Sequence, residues 1–167
     1  MKYAVAFILL LCLATCNQKA DKEDTTGKPQ PQLDTVEHLK PATNFNPESK
    51  LYIWRATPNY KKIKNTGYMQ EILNADSLIK GLNELNENVF LEKISTSGDT
   101  VYTIIRNSTY LAEQMGSTGA EVYVADLVLN LTAVPGIKYV HLQLEEGSHI
   151  QPGTWSRDNF KKYTETN

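Results

Sequence analysis

A Pro135-Gly136 pair divides the most apolar stretch of this chain into two segments of different period. No other feature constrains the fold as much. Before the break, Val124, Leu127, Val128 and Leu131 recur at i, i+3, i+4 and i+7, the spacing of one helix face. The valines here would also suit a strand. Asp126 and Asn130, four apart, line up as one polar stripe in a helix, and the helical reading of Glu121 to Thr132 is preferred. After the break, Ile137 to Leu144 alternates, with Val140, Leu142 and Leu144 on one face and Tyr139, His141 and Gln143 on the other. Pro135 ends the helix, and Gly136 supplies a backbone conformation that side-chain-bearing residues resist.

Upstream, Leu51 to Ala56 has the aromatic and branched content of a strand. Thr57 to Gly67 reads as a polar, lysine-rich loop. Tyr68 to Leu73 fits either a second strand or the lead-in to a helix. Asn74 and Asp76 are candidate caps for a helix carrying Leu78, Ile79, Leu82 and Leu85, which Gly81 weakens by about 1 kcal/mol relative to alanine. Val89 to Ser95 and Thr100 to Arg106 flank the turn Ser97-Gly98-Asp99 and predict a hairpin. Asn107 to Gly116 holds a short helical turn, with Gly116 as its stop. Glu145 to Asn167 is polar and turn-rich, pinned to the body by Trp155 and Phe160. The order strand, helix, hairpin, helix, strand predicts an α+β fold: a mostly antiparallel sheet with two helices packed on one face.

The first residues give an address. Lys2 precedes an apolar run from Ala4 to Leu13, too short to span a bilayer, so residues 1–15 read as a signal peptide. Leu13-Ala14-Thr15-Cys16 resembles a bacterial lipobox, which implies that Cys16 is acylated and becomes the new N-terminus; the alternative is a signal peptide cut near Ala14 that leaves Cys16 free. Residues 16–47 lack apolar periodicity and read as a flexible tether, and residues 48–167 as the folded domain. The expected location is the cell envelope, on the periplasmic side or the cell surface. Within 167 residues, 41% are hydrophobic and 22% charged, enough for one packed domain plus tails. The net charge of −2 argues against nucleic acid as partner and for attachment to the membrane through lipid rather than electrostatics. Both cysteines, Cys12 and Cys16, lie in the leader region, so the domain has no disulfide, thiol nucleophile or cysteine metal site.

Gly116-Ser117-Thr118-Gly119-Ala120-Glu121, the run Val124 to Thr132, and Val134-Pro135-Gly136-Ile137-Lys138-Tyr139-Val140 together resemble the GerMN domain, a module named from sporulation and spore-germination lipoproteins. The hairpin around Gly98-Asp99 and the tail Pro152 to Phe160 fit the same pattern. The likeness spans Leu51 to Phe160 and is strongest after Ser95. The family's usual Gly-Pro after the first helix is replaced by Leu82-Asn83-Glu84-Leu85-Asn86. The resemblance implies a non-catalytic binding or assembly module with an envelope protein or peptidoglycan as partner, self-association as a further option, and no cofactor.

Chemical motifs are sparse. Glu145, Glu146 and His149 are the best acid–base or cation-binding cluster and define the alternative function, an envelope hydrolase or metal-assisted enzyme. A solvated turn around Gly147 explains the same residues, and no catalytic or metal residue is assigned. Tyr139, His141 and Gln143 are the candidate partner-binding residues, and Pro135 and Gly136 the structural turn. Trp54, Tyr60 and Tyr68 would suit stacking on sugar rings, although aromatics at strand positions more often fill a core. Asn107-Ser108-Thr109 and Asn130-Leu131-Thr132 match the N-glycan sequon.

Overall fold

The computed structural model describes residues 45–166; the signal segment, Cys16 and the tether as far as residue 44 lie outside the described residues. The elements in order are β1 (Trp54–Ala56), β2 (Lys61–Lys64), α1 (Ala75–Leu85), β3 (Glu92–Ser97), β4 (Thr100–Ile105), α2 (Gly116–Leu131), β5 (Tyr139–Leu144), β6 (Gly153–Ser156) and β7 (Thr164–Glu165). The fold is α+β, as the pattern predicts, but the strands divide into two sheets, β3-β4-β5-β6 and β1-β2-β7. Pairings β1–β2, β3–β4 and β5–β6 are antiparallel, while β4–β5 and β2–β7 are parallel. Parallel neighbours need a crossover, and α2 provides it between β4 and β5.

Helix α2 is the centre of the molecule. Every residue from Tyr123 to Leu131 is buried, so the helix is enclosed all round rather than along one stripe. Val101, Thr103 and Ile105 of β4 and Val140 and Leu142 of β5 form the inner face of the four-stranded sheet beneath it. Helix α1 lies on the same inner side. It buries Leu78, Ile79 and Leu82, and its Asp76 pairs with Lys93 of β3 at 2.6 Å. The Asn74 side chain caps α1 by accepting from the Ser77 amide at 2.8 Å. Gly81 is required rather than merely tolerated. A Cβ there would stand 1.9 Å from the Leu51 carbonyl oxygen, so the incoming chain crosses α1 at a point open only to glycine. The chain docks on α1 from Asn46 onward, inside the last residues read as tether. The Asn46 amide donates to the Glu84 carbonyl at 2.7 Å and the buried Ser49 hydroxyl to the Glu84 carboxylate at 2.6 Å.

Several local expectations are corrected. The stretch read as a lysine-rich loop contains β2, a strand with one apolar residue, Ile63, itself half exposed. Pairing with β1 and β7, not burial, makes it a strand. Tyr68 to Leu73 is a lead-in, with a 3-10 turn at Gln70–Ile72. Gly116, at φ of +75°, stops the short helical turn as expected; what differs is that the turn is π-helical, Tyr110–Gln114, and that α2 begins at that glycine rather than at Glu121. The polar tail adds β6 to the edge of the larger sheet and β7 to the smaller one, and Trp155 and Phe160 pack against the core as expected of pins.

Gly136 has φ of +87°, in the left-handed region the turn was expected to need. Arg157, in the 3-10 turn Arg157–Phe160, closes the C-terminal end of α2. Its guanidinium donates to the Leu129 carbonyl at 2.9 Å and to the Thr132 hydroxyl at 2.7 Å.

Candidate functional site

Alternation in β5 sends Val140 and Leu142 inward and leaves Tyr139, His141 and Gln143 on the outer face. Register then builds rows across the sheet. His141 stands opposite Tyr102 of β4 on one side and Thr154 of β6 on the other, and Tyr102 stands opposite Ser95 of β3. The His141 and Tyr102 rings lie 5.4 Å apart, and His141 Nδ1 is 2.7 Å from the Thr154 hydroxyl. The next row sets Tyr139 between Thr100 and Ser156, and Gln143 lies opposite Ile104. Tyr139 is 42% exposed. The result is an aromatic and hydroxyl-bearing surface along the His141 and Tyr139 rows, while the Gln143 row continues through Ile104 to Glu92, which pairs with Arg106. The tail does not fold over this face. Trp155 pairs with Val140 and therefore shares the inner face, where it packs against the core.

The Glu145, Glu146 and His149 loop does not converge. Glu146 accepts from the Gln151 side chain at 2.8 Å, and His149 Nδ1 lies 3.2 Å from the Ser117 hydroxyl at the start of α2. The carboxylate that could serve such a pair, Glu113, is taken by the Ser148 amide (2.9 Å) and hydroxyl (3.0 Å), which hold it below the usual carboxylate range. Among the described residues, no three His, Cys, Asp or Glu side chains gather closely enough to hold a metal ion.

The three aromatics considered for sugar stacking separate. Trp54 is buried in the core, Tyr60 is exposed at a hairpin tip, and Tyr68 lines a shallow cleft. Asn130 is fully buried, which removes its sequon from any surface role.

A second polar constellation was read only as a stripe. On α2, Asn130 Oδ1 accepts from the amides of Ile53 (2.7 Å) and Trp54 (3.0 Å), while its Nδ2 donates to the carbonyls of Trp54 (2.8 Å) and Asp126 (2.7 Å). Asp126 accepts from the Ala56 amide and faces Arg55 at 3.6 Å. These side chains do the work of a neighbouring strand along the free edge of β1. Burial pushes the Asp126 carboxyl up to about 7, against the pull of the Ala56 amide and Arg55. Burial likewise raises the Tyr123 hydroxyl and pushes Tyr163 up to about 12, with the Asp126 charge adding to both. The four-residue spacing of Asp126 and Asn130 was visible; that a second sheet covers them was not.

Neither protein-family models, curated proteins nor solved structures give a match to this chain. Among the described residues, no helix is long and apolar enough to cross a membrane.

Proposed function

We propose that the chain is a lipid-anchored protein of the bacterial cell envelope, held through acylated Cys16, whose GerMN-like domain is a non-catalytic binding or assembly module. The observation that carries this reading is the outer face of the four-stranded sheet. It presents Tyr139, His141 and Tyr102 in adjoining rows, and the tail passes along its edge instead of across it. A sheet packed on one face and open on the other has a surface free for a partner. Tyrosine beside histidine gives that surface the rigid, amphipathic anchors that dominate interfaces. Peptidoglycan or an envelope protein is the partner class. The dispersal of the Glu145, Glu146 and His149 loop supports binding over hydrolysis. The anchor and the surface are tested separately. Cys16→Ala should shift the full chain out of the detergent-rich phase, and unchanged partitioning would remove the lipid anchor. Co-sedimentation of the protein with isolated cell-wall sacculi, beside capture from envelope extract, should identify the partner class. Hydrolysis of the sacculi by the purified protein would replace binding with catalysis.

A further inference from the structure

We propose that the β1–β2 hairpin is a docking surface for the phosphates of anionic lipid headgroups. The sequence concentrates charge here. Arg55, Lys61, Lys62 and Lys64 fall within ten residues, and no Asp or Glu occurs between Glu48 and Glu71, in a chain whose net charge is −2. Net charge therefore hides a local positive field.

The structure keeps that field available. The register places Lys62 and Lys64 on the same side of the hairpin as Trp54, with their ammonium groups 4.7 and 5.9 Å from the centre of the Trp54 ring. Neither lysine has an ion-pair partner among the described residues, although Glu165 stands opposite Lys62 in register. Lys61 donates to the Thr164 hydroxyl at 3.0 Å and meets no carboxylate within ion-pair distance. Beside β2 a cleft of about 380 Å³ is lined by Lys64, Asn65, Thr66 and Gln70 over Ile53 and Tyr68, so a cation and neutral polar side chains share one opening.

Apolar groups accompany the cations, and they favour a lipid surface over a soluble polyanion. Ile63, on the opposite face of β2 from Lys62 and Lys64 and beside Lys61 and Arg55, is 50% exposed, and Tyr60 at the tip, where both faces meet, is 44% exposed. Tyr60 occupies the left-handed position of the tight turn, with φ of 59°, where glycine or asparagine is usual. Its ring stacks edge-on against Tyr163 at 5.5 Å, and the Lys162 ammonium, itself paired with Glu121, lies 4.2 Å from its centre. A tyrosine flanked by lysines at an exposed tip is the composition that settles at headgroup depth. This inference rests on the membrane-tethered reading for its setting, since the hairpin is the first strand pair after the stretch read as tether.

The test uses residues 17–167, which keep every described residue and have no acylation site, on vesicles of phosphatidylcholine with or without phosphatidylglycerol. Binding should require phosphatidylglycerol and fall away in high salt. Lys62→Gln/Lys64→Gln should weaken it about twenty-five-fold, at about fivefold per lysine. Lys93→Gln/Lys138→Gln, which removes equal charge at the larger sheet, should change it by less than about twofold. If the first double variant melts early because the lysine stems cover Trp54, Lys61→Gln carries the test with about a fivefold loss. Equal losses in the two double variants, equal binding to phosphatidylcholine alone, or tighter binding to inorganic polyphosphate than to the charged vesicles would each overturn the proposal. None of these outcomes touches the Cys16 reading, which is decided by partitioning of the full chain.

Discussion

The two sheets are held to the same helix by different means. The four-stranded sheet meets α2 through fully buried Val101, Ile105, Val140 and Leu142, a contact of hydrocarbon on hydrocarbon. The three-stranded sheet also buries Trp54 and Ala56 in the core, but adds a polar clasp through Asn130 and Asp126, whose side chains bind the backbone of Ile53, Trp54 and Ala56. Apolar burial is forgiving of chemistry and roughly proportional to area. A buried hydrogen-bond network is not, because each lost partner leaves a desolvated group behind. The first sheet is therefore robust to conservative change, and the second depends on individual atoms.

The largest expected effect breaks this comparison or confirms it. Asn130→Leu keeps the branched outline, though it is bulkier, and strips partners from the Ile53 and Trp54 amides and the Trp54 carbonyl, so it should cost roughly 3–5 kcal/mol in chemical denaturation. Leu142→Met, which conserves volume, should cost less than about 1.5 kcal/mol. Similar losses for the two variants would show that the sheets do not differ in kind.

The same contrast explains what could be read in advance. The phase of β5 was legible because one face is buried and the other open, so hydropathy alternates through Val140, His141 and Leu142, although the strand starts at Tyr139 rather than Ile137. The β3–β4 hairpin was legible from Gly98, although β3 runs Glu92–Ser97 rather than Val89 to Ser95; α2 was legible as a helix, but its burial on all sides and its start at Gly116 were not. β2 and β7 carry no such signal. Lys61-Lys62-Ile63-Lys64 is mostly solvated, and Thr164-Glu165 is two polar residues. They are strands because distant backbone pairs with them, and periodicity records burial rather than pairing. Gly81 looked like a flaw in α1 because its reason, the Leu51 carbonyl, lies thirty positions away in sequence. Of the candidate site, the outward phase of Tyr139, His141 and Gln143 was readable. Their neighbours Tyr102 and Thr154 were not, since the register that unites them is set across three strands.

The polar attachment should also give the molecule a pH response that the apolar one lacks. The Asp126 carboxyl is raised from its ordinary 3.8 to about 7 in the fold. Between those values the folded chain holds a proton that the unfolded chain has lost, so stability should rise as pH falls from about 8 toward 5. The penalty is complete above about 7, and a gain of about 1–3 kcal/mol is expected across the window. Glu84 does not confuse the reading. Burial opposes its charge, but Lys80 and Ser49 outweigh burial and hold it below its ordinary 4.5, so its contribution is lost only at more acid pH. Asp126→Asn should flatten the pH 5–8 profile measured by urea denaturation, and an unchanged slope would place the response elsewhere.

A smaller effect is expected where α2 is joined to the larger sheet. At φ of +87° a branched side chain is strained by backbone alone, since a Cβ on Gly136 would meet nothing within 4 Å. Gly136→Val should therefore cost about 1–3 kcal/mol, while Gly136→Asn, which tolerates the left-handed region, should cost less. Equal melting of Gly136→Val and wild type would mean that the turn relaxes without loss.

The smallest stability effect belongs to the surface on which the functional reading depends. Tyr139 and Leu142 lie three positions apart on β5 and face opposite ways. Leu142 is fully buried, so Leu142→Ala should leave a cavity and cost roughly 2–5 kcal/mol. Tyr139 is 42% exposed and forms none of the aromatic stacks seen on this face, so Tyr139→Ala should stay within about 1 kcal/mol of wild type. Binding should reverse the order. Tyr139→Ala should weaken association with sacculi or with the captured envelope partner, whereas Leu142→Ala, assayed well below its melting temperature, should retain it. His141→Ala separates a binding row from a merely stacked one. Its ring contacts Tyr102 and the Thr154 hydroxyl, so its loss also loosens the neighbouring tyrosine. A surface that binds through both rows should lose affinity in both single variants without a matching loss of stability. If thermal melts of Tyr139→Ala fall as far as those of Leu142→Ala, the outer face is structural and the partner binds elsewhere.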